Sequence, residues 1–429
     1  MRWLGVVLLV AAGFCCAVVL GGLGVLSFPK NGADSAAAES ASASADSTRP
    51  APNSSEAIDD LKQQIAAVGY LGGYEKAGER SGLLLHDHAN AYQGLNFYTT
   101  GHAPEAHLID MDGGVLHSWR YELADVWPQS AALVDDPPNW WRRGHVYPNG
   151  DVLAIFERLG LIKLDKDSQL LWSFSGGCHH DLDVTSDGRI FVLSHRFVEH
   201  PTLRKGESII DDLITVLNAD GEELRQVSVL NALANSEYSG VPYRSRAPVD
   251  ILHTNTLEVL DGRLESQLPA FKRGNILVSF LHADTIAVVD MEAEKVVWAL
   301  SGMWQRQHQP TVLDNGNLLL FDNRGHNLRA KVIEFDPATQ ELIWSYKGTA
   351  GSGFESYRQG SNQRLPNGNT LITDSVNGRA FEVTQDGTIV WEFVNPARYG
   401  KSNELVAVLC EMIRLDPQFP VDWIPPRVD

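Results

Sequence analysis

From residue 82 onward the chain is built of short runs in which apolar and polar residues alternate, separated by Asn-Gly, Asp-Gly and related turns. Period-two alternation around such a turn predicts β-hairpins. Residues 307–325 (QHQPTVLDNGNLLLFDNRG) show the plan most plainly. The same plan recurs in GHVYPNGDVLAIFERLGLIKLDKDSQLLWSF from residue 144. It recurs again in HHDLDVTSDGRIFVLSH from residue 179, completed by ITVLNADGEELRQVSV. A third copy, ILHTNTLEVLDG, continues as GNILVSFLHADTIAVVD after an insertion at residues 263–273. The QHQP unit ends in IEFDPATQELIWSY, and QGSNQRLPNGNTLITDSVNGRAFEVTQDGTIVWEF follows from residue 359. Tryptophans close several copies: Trp298, Trp344 and Trp391 stand 46 and 47 residues apart. Trp119 ends AHLIDMDGGVLHSW, the outer half of a sixth copy, and LVAVLCEMIRLD near the C-terminus reads as one more strand that completes the first unit. Four strands per period of roughly 40–50 residues predict a propeller. The expected fold is all-β, a six-bladed β-propeller over residues 82–429.

The N-terminal pattern is different. Residues 3–28 carry no charge, a stretch long enough to cross a bilayer. No Ala-x-Ala cleavage site closes it, so residues 1–28 read as an uncleaved transmembrane signal anchor, with a cleaved signal peptide as the other reading. Residues 29–53 are rich in Ala and Ser and too poor in large apolar residues to fold, which predicts a disordered linker. Within a lead-in at 54–81, the spacing of Ile58, Leu61 and Ile65 predicts a short helix over residues 54–67.

Composition narrows the function classes. Asp and Glu number 54 against 35 Lys and Arg, a formal net charge of -19. Nucleic-acid binding relies on clustered basic residues, so no nucleic-acid partner is expected. Cys178 and Cys410 belong to no CxxC pattern, which argues against a zinc site; sequence leaves open whether they pair.

The turn glycines set a register. Eight residues before Gly316 and Gly188 stand His308 and His180; eight before Gly150 and Gly368 stand Arg142 and Gly360. His253 lies nine before Gly262. First strands of propeller blades line the central channel, so His180, His253 and His308 are expected to meet there as catalytic groups. Arg142, Arg324, His282 and His179 are candidates to bind substrate around them. Trp140 and Trp141 fit either an aromatic rim over the channel or packing between blades.

The elements HHDLDVTSDG, LHTNTLEVLD, QHQPTVLDNGNLLLFDN and GRAFEV resemble the bacterial arylsulfotransferase (arylsulfate sulfotransferase) family over most of the chain after residue 82. The resemblance implies a propeller in the periplasm, here held at the inner membrane by the N-terminal helix. It implies transfer of a sulfuryl group from an aryl sulfate to a phenol without a nucleotide donor, and no cofactor. His308 matches the motif of the nucleophile that becomes sulfated, and His180 and His253 match the other channel histidines. Leu281 stands where the family carries an arginine. Two other readings remain: a non-catalytic envelope propeller that binds a ligand or protein, and a metal-dependent hydrolase or lyase using the histidines with Asp181 or Asp284. The oligomeric state is not legible in the sequence.

Overall fold

The computed structural model of the protein describes residues 72–132, 139–325, 329–348, 354 and 356–425. The expected anchor, linker and helix at 54–67 lie outside them. Among the described residues no helix is long and apolar enough to cross a membrane.

The fold is all-β. Six antiparallel sheets follow one another, numbered I to VI here in ring order from the innermost strand outward. Sheet II runs Trp141–Val146, Val152–Phe156, Gly160–Leu164, Leu170–Phe174. Sheet III runs Leu182–Val184, Ile190–Glu199, Ser208–Leu217, Glu223–Ser228. Sheet IV runs Thr254–Val259, Ile276–Phe280, Thr285–Asp290, Lys295–Ser301. Sheet V runs His308–Val312, Leu318–Asp322, Lys331–Phe335, Leu342–Tyr346. Sheet VI runs Ser361–Arg364, Thr370–Asp374, Arg379–Val383, Ile389–Val394, with Gly82–His86 as a fifth, outermost strand. Sheet I joins the chain's ends: Leu409–Arg414 lies innermost, beside Asn96–Thr100, Glu105–Ile109 and Val115–Arg120. The C-terminal strand thus completes the first unit, as its pattern predicts.

The core lies between the sheets. One apolar cluster fills each seam, from I/II round to VI/I. The parity of each strand divides its residues between two seams: Leu318 and Leu320 face sheet IV, while Leu319 and Phe321 face sheet VI. This is why second strands such as VLAIF and ILVSF are buried throughout and read as unbroken apolar runs. An outer strand such as LLWSF keeps one face wetter and alternates. Innermost strands of successive sheets touch in a cycle that returns from sheet VI to Leu409–Arg414 of sheet I, the arrangement of a β-propeller.

The recurring tryptophans sit on the fourth strands, and four of them reach across a seam. Trp119 Nε1 donates to Gly150 O, Trp172 to Ala219 O, Trp344 to Gln385 O and Trp391 to Met111 O, each on a turn of the next sheet. Trp140 and Trp141 are buried, Trp141 against Phe156, so they pack between sheets and form no rim. Cys178 and Cys410 are free thiols in separate clusters.

Two features depart from expectation. Gly73–Lys76, placed by the sequence in the helical lead-in, is a strand that pairs with Leu405–Ala407 in a small seventh sheet. Short helices interrupt the β pattern, among them Val229–Ala234, whose Ser228 side chain caps Asn231 N.

Candidate functional site

The turn between first and second strands is the same in five sheets. An Asn or Asp side chain accepts the N–H two residues on (Asn149, Asp187, Asp261, Asn315, Asn367), and the following glycine adopts positive φ. That fixed turn carries the register inward. At the far end of the first strand the backbone is forced: His180, His253 and Gln309 have φ of 55, 52 and 47°, a left-handed conformation costly for non-glycine residues. Bulges accompany it. The pairing slips between Trp141 and Arg143, so that Arg142 is the extra residue, and slips again between His308 and Thr311. Bulges and left-handed residues re-aim side chains and cluster at functional sites.

These devices bring the predicted histidines together. The rings of His180 and His253 lie 4.7 Å apart, and His253 and His282 5.0 Å apart. Arg142 and then His253 act electrostatically on His308, which puts all three in one field.

His308 opens its strand between two locked glutamine contacts. Gln307 Nε2 donates to Ser279 Oγ, Phe280 O and Thr285 O of sheet IV, and Gln309 N donates to Thr256 Oγ1. The ring is buried, and Nδ1 lies 2.7 Å from Asn323 Oδ1. Asn323 Nδ2 donates to the Ser356 and Gln359 carbonyls, which fixes its oxygen toward the imidazole. Nδ1 therefore carries the proton, and Nε2 holds a lone pair. That Nε2 is buried and has no hydrogen-bond partner among the described residues. Burial, followed by the Arg142 and His253 charges, pushes the pKa of His308 down to about 3, against the Asn323 hydrogen bond that raises it.

His180 is held by a relay. His179 Nε2 donates to Ser194 O, so its Nδ1 accepts from His180 Nδ1 at 2.8 Å and leaves the His180 lone pair on Nε2. His180 N also donates to Glu157, whose carboxylate lies 3.4 Å from the His180 ring. Burial first, and then neighbouring histidines and arginines, hold both rings well below the ordinary histidine value. His253 Nδ1 donates to Asp250 Oδ2 at 2.6 Å, and His282 Nδ1 to Asp250 O at 2.6 Å. Burial would raise the Asp250 pKa, but His253, Arg158 and His282 hold it well below the carboxylate range.

Arg142 belongs to this cluster: its Nε lies 3.9 Å from Glu157, and its charge acts on both His180 and His308. Arg324 does not show such a role. Its backbone N–H bonds Gln305 O and Asp322, and among the described residues its guanidinium makes no ion pair. Neither expected metal partner is placed for it: Asp181 is engaged by Arg143 and by Leu257 N, and Asp284 by Arg306 N. Asp250, with His253 and His282, instead forms a group whose donors lie within 4.8 Å of one another.

Sequence reasoning missed Glu157, Arg158, Asp250 and Asn323. Arg158 is buried, adopts φ 61° and donates to Asp250 Oδ2 at 2.7 Å. Counting forward from the turn glycines would have found most of them. Seven residues after Gly150, Gly188, Gly274 and Gly316 stand Glu157, His195, Leu281 and Asn323; one further are Arg158, Arg196, His282 and Arg324. His195, near His179 at 5.6 Å, donates Nδ1–H to Gly177 O. The residues next in sequence to the site (Arg143, Asp181, Gln309) line a central cavity of about 370 Å³, whose lining does not include His180, His253 or His308.

Comparison with known proteins adds the following. Residues 145–396 match the sequence model of the family described as arylsulfotransferase (ASST). No curated protein matches the chain. Similar solved structures include a protein of unknown function from Bacteroides caccae, at 13% identity over 70% of this chain and 94% of that one, TM-score 0.48. A streptogramin B lyase aligns at 14% identity over 80% and 96%, TM-score 0.43. The WD40 beta propeller domain of Doa1 aligns at 10% over 72% and 77%, TM-score 0.39. With TM-scores under 0.5, these likenesses carry no argument about function.

Proposed function

The chain belongs to the arylsulfotransferase family, and from that premise we propose that it moves a sulfuryl group from an aryl sulfate ester to a phenol through a sulfated His308. The observation that carries this reading is the state of His308: Nδ1–H is tied to Asn323, and Nε2 holds a buried lone pair with no hydrogen-bond partner among the described residues. In the first half-reaction Nε2 attacks sulfur, the N–S bond forms and the S–O bond to the aryl group breaks. The departing oxygen takes a proton from Nε2 of His253, whose Nδ1–H rests on Asp250. In the second half-reaction a phenol oxygen attacks sulfur and its proton returns to His253. The N–S pair of electrons returns to His308. His180, its ring 4.7 Å from that of His253, stands beside this proton transfer. Arg142 supplies positive charge for the sulfuryl oxygens in place of the family arginine replaced by Leu281, and Arg158 holds Asp250.

The test is the full chain incubated with a chromogenic aryl sulfate and a phenol acceptor. Phenol release and acceptor sulfation are expected, with a peptide containing His308 heavier by one SO3 in the absence of acceptor. Absence of release, or a His308→Ala variant as active as the parent, overturns the reading. The periplasmic, membrane-held location stays part of the proposal, supported by the uncharged residues 3–28; reporter fusions active only in the cytoplasm would overturn it.

A second reading has one specific support, the Asp250–His253–His282 group. Both rings direct Nδ1–H to Asp250, so each would offer Nε2 to a divalent ion, as in carboxylate-oriented metal histidines. That ion would polarise a substrate oxygen for hydrolysis or elimination. Transfer activity that survives exhaustive chelation rejects this reading and leaves the first intact.

A further inference from the structure

A second group of metal-ligating side chains lies away from the channel, on the outer side of the seam between sheets VI and I. His86 ends the outermost strand of sheet VI, His88 follows in the next turn, and Asp112 sits in the turn between the third and fourth strands of sheet I. One donor atom from each lies within 4.8 Å of the others. His86 Nδ1 is 2.8 Å from Asp112 Oδ1, and the two imidazole rings are 3.8 Å apart. The His86 side chain is 5% exposed, and its Nε2 is buried with no hydrogen-bond partner among the described residues. A ring so placed has one polar neighbour where its two nitrogens could use more.

Both turns are held before any ion arrives. Asp87 accepts from Ala89 N and Asn90 Nδ2, which fixes the turn that carries His88. Asp110 accepts from Asp112 N and Gly114 N, which fixes the turn that carries Asp112. The two sheets meet at this point: a Cβ on Gly113 would lie 3.3 Å from Leu83 Cβ, and Trp391 Nε1 bonds Met111 O. Ligands on one ion at about 2.0–2.1 Å are about 3.3 Å apart in a tetrahedral site. The group needs only side-chain adjustment to reach that.

We propose that His86, His88 and Asp112 form a binding site for a divalent transition ion of the Zn(II), Ni(II) or Co(II) class, which clamps the outermost strand of sheet VI to sheet I. Two imidazoles and one carboxylate are borderline ligands that suit these ions better than Mg(II) or Ca(II). The net charge of -19 favours cation approach. Because the ion binds the folded seam and not the separated strands, it raises stability in proportion to occupancy. The site is independent of sulfuryl transfer.

The experiment uses the full chain stripped with chelator and titrated with Co(II), read by its visible absorption and by competition with Zn(II), alongside the thermal midpoint. The parent is expected to show a bound Co(II) spectrum and an upward shift of the midpoint. His88→Ala and Asp112→Asn, both exposed positions, are expected to weaken binding at least about tenfold and to remove the shift. His282→Ala is expected to keep both. Absence of Co(II) binding by the parent overturns the proposal, as does binding that survives both variants or is lost in His282→Ala alone.

Discussion

In the proposed transfer His308 must be unprotonated to attack sulfur, and burial favours that form by pushing its pKa down to about 3. Asn323 then decides which nitrogen holds the lone pair. Asn323→Ala is expected to lower kcat roughly tenfold to a hundredfold with KM little changed, because it frees the tautomer without touching the binding groups; steady-state kinetics check it. Buried neutral histidines also set an acid limit. His195 is pushed down to about 4 by burial and then by Arg158, against its bond to Gly177 O. Between about pH 6.5 and 4 the unfolded chain binds a proton there that the folded chain refuses. Stability therefore rises with pH through that window, and the contribution is lost as pH falls through it. In His195→Asn the difference in unfolding free energy between pH 7 and pH 4 should shrink by on the order of 3 kcal/mol, measured by urea denaturation at each pH. A parent and a variant with parallel pH profiles would contradict this.

At the scale of the strand, the repeated tryptophan closes several units, as its spacing predicts, and also fastens four of them to their neighbours. Trp391→Phe keeps the ring that stacks at 6.0 Å on Phe393 but loses the bond to Met111 O. The expected cost is about 1 kcal/mol, seen as a lower denaturant midpoint with unchanged slope. The inner strand shows why its chemistry was only half legible. The turn glycine gave a count of eight residues, which located His180, His308 and Arg142 by local geometry. The bulge at Arg142 and the left-handed backbone at His180 and His253 are properties of pairing with a neighbouring strand. They do not show in period-two alternation.

At the scale of the molecule, the ring is closed by a strand from the C-terminal end. Leu409–Arg414 pairs with Asn96–Thr100, and Arg414, with no side-chain exposure, bonds Asn96, Tyr92 O and Glu382 across the VI/I seam. Removal of residues 405–429 would leave sheet I without its inner strand and expose the apolar surfaces of that seam. The expected result is loss of the single cooperative unfolding transition, with broad, probe-dependent curves; a truncated chain that unfolds in one sharp transition would contradict it.

Alternation, turn chemistry and a count from the turn glycines determined six strand units and the first-strand histidines, because each depends on residues close along the chain; the C-terminal strand's place followed from the topology of a closing ring. Tertiary structure alone decided which groups those histidines meet. Asn323 meets His308 from 15 residues away, and Arg158 meets Asp250 from 92. It also decided that Arg142 lies beside Glu157 while the Arg324 guanidinium makes no ion pair among the described residues. The reason is physical: protonation state and orientation are set by contacts between sheets and by exclusion of water, and neither has a period in the sequence.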